Sequence, residues 1–195
     1  MIEHFPELSL TTTYKRQMAV LRNCHTTAKV TSHFGKLEVT IPGHKLVYTA
    51  DQLHFHSPTE HRFQGKSYDV EMHIVHSLES GAPEDYQYTK AVIGMAFDAS
   101  NDQHNTFFDE MELDKEVELN LGGLIDSTSK LLYHYQGSLT TPPCTEIVNW
   151  FVFKTPLDIS KKQVRDLAHI WEDEMDGCHD NRDVQPINER IIYRS

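Results

Sequence analysis

Apolar and polar residues alternate with a period of two along most of this chain, and turn signals punctuate the alternation. Between Leu8 and Asp51 the pieces LSLTTT, QMAVLRN, TAKVTSH, KLEVTIPG and KLVYTA are short and β-rich, broken at Gly35 and Pro42–Gly43. They predict a meander of antiparallel strands. A polar connection with Gly81 and Pro83 leads to a strongly apolar strand in YTKAVIGMAFDA. Asn105–Asp114 reads as a short helix or turn whose acidic run, continuing to Glu118, is a solvated face, and Gly122–Gly123 marks a turn. Leu131–Tyr135, Glu146–Phe153 and Ile191–Tyr193 are further strands. Helical periodicity is clearest in Lys161–Trp171, where Val164, Leu167, Ala168 and Trp171 form one stripe and Ser160 with Gln163 makes a capping box. No repeat, linker or low-complexity tract interrupts the pattern. The expected fold is mainly β, of the α+β class, with a central, twisted, mostly antiparallel sheet and a few peripheral helices in one domain over residues 1–195.

Two stretches carry chemistry. In QLHFHSPTEHRFQGKSYDVEMHIVH, from Gln52 to His76, two alternating segments flank a loop around Gln64–Gly65. Gln52, His54 and His56 share one face of the first, and Glu71, His73 and Val75 share one face of the second. If the segments pair, His54, His56 and His73 converge. Three imidazoles without a fourth protein ligand are the donor set of an open catalytic zinc site. Gln52 and Glu71, each two residues before a histidine on the same face, are placed to hold ring N–H groups. A His-x-His pair on a strand is by itself commonly solvated, and the third histidine on a second strand brings the two readings level. The other stretch is YQGSLTTPPCTEIVNWFVF, a rigid loop through Thr140, Thr141, Pro142 and Pro143 entering an apolar strand.

The 195 residues carry 18 basic and 29 acidic side chains, a net charge of −11. That balance argues against nucleic acid or an anionic membrane as a main partner. No apolar run approaches the ~20 residues of a membrane span. MIEHFPELSL lacks the basic start and apolar core of a signal peptide, so the chain either stays where it is made or is the mature form of an exported or organellar protein. Cys24, Cys144 and Cys178 have no metal-knuckle spacing and read as reduced thiols, with a Cys24–Cys144 bridge in an oxidising compartment as the alternative.

The motifs HFHSPTEH, EMHIVH, GSLTTPP and DNRDVQPINER, in this order over Gln52–Arg190, resemble those of the α-class carbonic anhydrases, in the HFHSP form of bacterial, plant and protist members. The resemblance implies that family's fold and the reversible hydration of carbon dioxide to bicarbonate, with hydroxide on Zn2+ as the nucleophile. Zinc would sit on His54, His56 and His73, with Gln52 and Glu71 behind them. Thr140 would be the gatekeeping threonine, giving its proton to Glu60, and Thr141 would help position bicarbonate. Val75, Val92, Leu139, Val148 and Trp150 would form the apolar pocket for carbon dioxide. His25 would be the proton shuttle with Asn23 as a water-ordering neighbour, and His61 and His76 would be buried hydrogen-bonding residues.

Several positions depart from the family. This sequence starts after a tryptophan-rich segment and a QSPI-like motif that members usually have, so the expected domain is N-terminally short. Cys24 stands where Gly is usual, Ala28 replaces a polar residue, and Cys144 matches a cysteine that exported members bridge to that segment. The departures leave room for a homo-oligomer contact or a protein partner over the segment's position. They also leave a rival reading, a non-catalytic subunit of a larger assembly.

Overall fold

The structure is a computed structural model that describes the chain apart from residues 25–26, 32–34, 110, 112–114, 129–130 and 173–180, and apart from the side chains of 22–34 and 169–172. Its strands are β1 (Ile2–His4), β2 (Ser9–Thr12), β3 (Gln17–Cys24), β4 (Thr27–Thr31), β5 (Lys36–Ile41), β6 (His44–His56) and β7 (Val70–Ser80). They continue as β8 (Lys90–Asp98), β9 (Glu116–Leu119), β10 (Leu132–Gly137), β11 (Val148–Phe153), β12 (Leu157–Asp158) and β13 (Ile192–Arg194). Among the described residues these thirteen form one sheet, ordered β1-β13-β10-β11-β8-β7-β6-β4-β3-β9, with β5 on β6, β2 on β5 and β12 on β8. The ladders are antiparallel except β1 with β13 and β8 with both β11 and β12. The β8–β11 pairing brings the Val92 strand directly beside the Trp150 strand, with Trp150 opposite Val92.

The strands expected from alternation are present with boundaries moved by a few residues, and KLVYTA joins QLHFH as the single long strand β6. Seven consecutive residues of β7, Val70–His76, are buried, as in a strand covered on both faces. One face packs into the main core with Leu53, Phe55, Met72, Ile74, Ile93 and Phe151. The other carries the histidines. The helix α2 (Lys161–Glu172) starts on the expected reciprocal cap, with Gln163 N–H donating to Ser160 Oγ at 3.2 Å and Ser160 N–H to Gln163 Oε1 at 3.1 Å.

One local expectation is corrected, and the described part of the acidic run agrees with a short helix or turn and exposed carboxylates. Gly122–Gly123 lie inside a short helix, α1 (Leu121–Asp126), because Asn120 caps it and Leu121, Leu124 and Ile125 bury one stripe. In the acidic run, Thr106–Phe108 is a 3-10 turn capped by Asn105, and Glu116 and Glu118 are exposed positions of strand β9, alternating with buried Val117 and Leu119. Asp109 follows that turn, exposed and paired with His104, while Glu110, Glu112 and Asp114 lie outside the described residues.

Candidate metal centre

The antiparallel β6–β7 pair places His54 directly opposite His73, and His56 opposite Glu71. The turn that returns the chain has Gln64 at φ 53° and Gly65 at φ 81°, the left-handed pair of a tight hairpin tip. The imidazole centroids of His54, His56 and His73 lie 4.9, 5.2 and 4.8 Å apart pairwise. One ring nitrogen from each comes within 4.8 Å of the others. His56 and His73 are buried and His54 is half-buried.

Neighbouring acceptors decide which nitrogens are available. Gln52 Oε1 is 2.9 Å from His54 Nδ1, and Glu71 Oε1 is 3.0 Å from His73 Nε2. An oxygen that can only accept fixes the ring proton on the nitrogen facing it, so His54 turns a lone pair outward at Nε2 and His73 at Nδ1. Three neutral imidazole nitrogens so arranged fit a divalent ion of zinc type, and among the described residues the set includes no cysteine or carboxylate.

Glu71 serves a second histidine. Its Oε1 accepts from His61 Nδ1 at 2.5 Å, and its Oε2 accepts from the His61 backbone N–H at 2.9 Å. Burial alone would raise this carboxyl, but the electrostatic attraction and hydrogen bonds of the His61 and His73 rings hold it well below the usual carboxylate range. His61 Nε2 in turn meets Tyr135 Oη at 2.6 Å. His61, Glu71 and His73 therefore also form a compact group, but both ring nitrogens of His61 are taken and it orients rather than ligates. His76 is likewise buried and hydrogen-bonded, with Nε2 2.5 Å from Tyr14 Oη and Nδ1 3.1 Å from the Ala91 carbonyl. Burial pushes it down to about 4.

Glu60 is buried beside the trio, Oε2 lying 3.5 Å from His56 Nε2 and 3.8 Å from His73 Nδ1. Its Oε1 accepts from the Arg182 backbone N–H at 2.7 Å. Oε2 has no hydrogen-bond partner among the described residues, so the Thr140-to-Glu60 bond implied by the resemblance is not formed in this arrangement. Thr140 is half-buried and Thr141 exposed. Thr140 lines a cleft of about 940 Å³ together with Glu60, His61, Trp150 and Arg182. Val75, Val92, Val148 and Trp150, with Leu139 packed against them, form an apolar cluster separate from the main core. The indole ring stands edge-on to His73 at 4.8 Å, which joins this cluster to the trio. His25 lies outside the described residues, as do the side chains of Asn23, Cys24 and Cys178; Cys144 is a free thiol.

The family description "Eukaryotic-type carbonic anhydrase" matches residues 2–195. The chain belongs to the eukaryotic-type carbonic anhydrase family. It is 35% identical over 158 residues to alpha carbonic anhydrase 7 of Arabidopsis thaliana, covering 75% of this chain and 53% of that protein. To a carbonic anhydrase of Klebsiella pneumoniae it is 32% identical over 184 residues, covering 90% of this chain and 68% of that protein. The chain thus spans about half to two thirds of the length of these relatives. The structure of the Photobacterium profundum alpha-carbonic anhydrase superposes with a TM-score of 0.78 at 30% identity, over 99% of this chain and 85% of that one. No helix among the described residues is long and apolar enough to cross a membrane.

Within this carbonic anhydrase fold, three features were not read from the sequence. Arg182 ties the tail to the site, donating through Nη1 to Ser138 Oγ at 3.2 Å and through its backbone to Glu60; its place in DNRDVQPINER was the available signal. Val152 completes the apolar cluster, a contact that only the β8–β11 register reveals. Gly94 stands opposite His73 on β8, where a Cβ would lie 3.0 Å from Glu71 Oε1 and 3.5 Å from Val152. The missing methyl makes room for the carboxylate that grips two imidazoles. Gly94→Ala is expected to push Glu71 aside and weaken metal affinity about tenfold, with about 1–3 kcal/mol of overpacking cost. Chelator competition measures this, and wild-type affinity in the variant would refute the role given to Gly94.

Proposed function

We propose that this chain binds one zinc ion on His54, His56 and His73 and catalyses the reversible hydration of carbon dioxide to bicarbonate and a proton. The observation that carries the reading is the convergence of three imidazoles from two paired strands, two of them oriented by Gln52 and Glu71, against a separate apolar cluster. Family membership supports it.

A zinc ion held there would supply the Lewis acidity that makes hydroxide available near neutral pH, lowering the pKa of bound water to about 7, a figure established on carbonic anhydrase itself. The rest falls to the chain's own residues. Glu71, kept ionised, holds His73 in the tautomer that presents Nδ1, and Gln52 does the same for Nε2 of His54. Val75, Val92, Leu139, Val148 and Trp150 provide a surface that an unpolarised carbon dioxide molecule can enter without losing hydrogen bonds to water. Oε2 of Glu60, which has no hydrogen-bond partner among the described residues, is assigned to accept a hydrogen bond from the Thr140 hydroxyl, a contact that would orient the nucleophile and that this arrangement does not make. The Thr140 backbone N–H and Thr141 are assigned to the substrate and product oxygens. Hydroxide adding to carbon dioxide gives bicarbonate with no proton released; one proton per turnover leaves when the next water is ionised to hydroxide, and a histidine with an ordinary pKa near 6.5 suits its removal; His25 is assigned that step.

Stopped-flow carbon dioxide hydration tests the reading. Activity is expected to disappear with a zinc chelator and return with added zinc. Stoichiometric zinc binding without turnover would sink the enzymatic reading and leave only a metal-binding scaffold.

A further inference from the structure

The strand that carries two of the three histidines holds two alternations out of phase. From Leu46 to Ala50 the even-numbered residues Leu46, Tyr48 and Ala50 are buried in the main core. From Leu53 onward the odd-numbered Leu53 and Phe55 take that place, and Gln52, His54 and His56 turn to the other face. The phase changes at Asp51. Ala50 pairs with His76 and Gln52 with Val75, so two steps along β6 answer one step along β7. Asp51 is the extra residue of a β-bulge, a device that re-aims side chains next to functional sites. Strand β7 keeps one phase through the same region, with Met72 and Ile74 in the main core.

The arithmetic of a period-two strand makes this decisive. A slip of one residue sends every side chain to the opposite face. Were the alternation of Leu46, Tyr48 and Ala50 continued without the extra residue, His54 and His56 would point into the hydrophobic core.

The bulge is fastened at this rung. Asp51 Oδ2 accepts from Ser77 Oγ at 2.5 Å and from Lys90 Nζ at 2.9 Å. Lys90 Nζ also donates to Ser77 Oγ at 2.6 Å. Ser77 pairs with Thr49 on β6 and with Lys90 on β8, so the three side chains tie three adjacent strands where the phase changes. About a third of the Asp51 and Lys90 side chains is exposed, 35% and 32%, and an ordinary surface ion pair of that exposure contributes little. This one sits where the ladder is interrupted, so its side chains restrain backbone that hydrogen bonds between strands do not.

We infer that Asp51, clasped by Ser77 and Lys90, is a positioning residue for the metal centre: it sets the turn of β6 that presents Gln52, His54 and His56 to His73. The inference rests on the zinc reading above. Its test compares Asp51→Ala, Asp51→Asn, Lys90→Met and a control, Lys66→Met, which breaks the exposed Lys66–Asp98 pair instead. Two readouts are taken: zinc affinity by chelator competition, and the visible spectrum of the protein loaded with cobalt(II), which reports ligand geometry. Asp51→Ala and Lys90→Met are expected to bind zinc about tenfold more weakly, at the lower end of losses seen when groups behind the ligands are removed, and to alter the cobalt spectrum. Asp51→Asn, which still accepts both hydrogen bonds, and Lys66→Met are expected to match wild type. If Asp51→Ala does not fold, Lys90→Met decides, because it leaves β6 intact. Wild-type affinity and spectrum in Asp51→Ala, or an equal loss in Lys66→Met, would overturn the positioning role. A wild-type chain that binds neither metal would instead overturn the zinc reading, and this inference with it.

Discussion

Replacing His54 with alanine is expected to abolish metal binding and carbon dioxide hydration together, whereas replacing His61 weakens metal affinity by only about 10- to 100-fold. The two histidines belong to overlapping clusters, and the contrast separates them. His54 offers one of the three converging nitrogens, and its other nitrogen is held by Gln52. Without it two imidazoles remain, and the rest of the metal's sphere passes to water. His61 spends both ring nitrogens on Glu71 and Tyr135. Its loss frees Glu71 to sag but leaves the carboxylate still bonded to His73. Folding stability barely distinguishes the variants, since His54 is half-buried on the open side of the sheet. Metal content after dialysis against a weak chelator, measured beside stopped-flow rates, checks the prediction. Full zinc occupancy in His54→Ala would remove the trio from the mechanism.

Acid is expected to destabilise the metal-free chain steeply, because two histidines are buried in the neutral state. His76 and His134 are both pushed down to about 4, in each case by burial. The unfolded chain takes up these protons near pH 6.5, while the folded chain resists until about pH 4. The unfolded state therefore binds more protons across that window, and stability is lost as the pH falls through it. Each group contributes about 3 kcal/mol at 1.36 kcal/mol per unit, a large part of a typical total of about 5–15 kcal/mol. His61 works in the opposite sense. Burial lowers it, but the charge and hydrogen bond of Glu71 outweigh burial and raise it, so its contribution is present in acid and fades as the pH rises through its folded value. Urea unfolding of the metal-free protein from about pH 7 to about pH 4 gives the slope. His134 stacks on Phe151 at 4.8 Å and on Tyr193 at 6.0 Å, so phenylalanine fits its place. His134→Phe is expected to cost about 1 kcal/mol at neutral pH, from the Trp150 carbonyl it leaves without its donor. It should also remove about half of the acid loss. An unchanged pH slope in this variant would contradict the assignment.

Much of the site was legible because strands advertise their faces. The alternation in QLHFH and EMHIVH put the three histidines and their two supporting acceptors on one side, and the structure has Gln52 on His54 and Glu71 on His73. The capping box at Ser160 was legible for a similar reason, since its hydrogen bonds span only three residues. Glycine misled at Gly122–Gly123, where burial of a helical stripe outweighed the local turn preference. The Thr140–Glu60 pairing came from resemblance alone, and the arrangement seen here leaves Glu60 Oε2 to the histidines.

By itself the sequence determined a β-rich chain, its strands, and which side of each short segment would carry imidazole or hydrocarbon, because these follow from a period of two between neighbouring residues. The tertiary structure decided how those segments are phased against one another. Only strand pairing shows that KLVYTA and QLHFH are one strand turned over at Asp51, that Gly94 makes room for the carboxylate shared by His61 and His73, and that Trp150 stands beside Val92 through a parallel ladder. The physical reason is that register is a property of two strands together: it is set by the burial of both and by the residues that fasten them, and a single run of letters records only its own half.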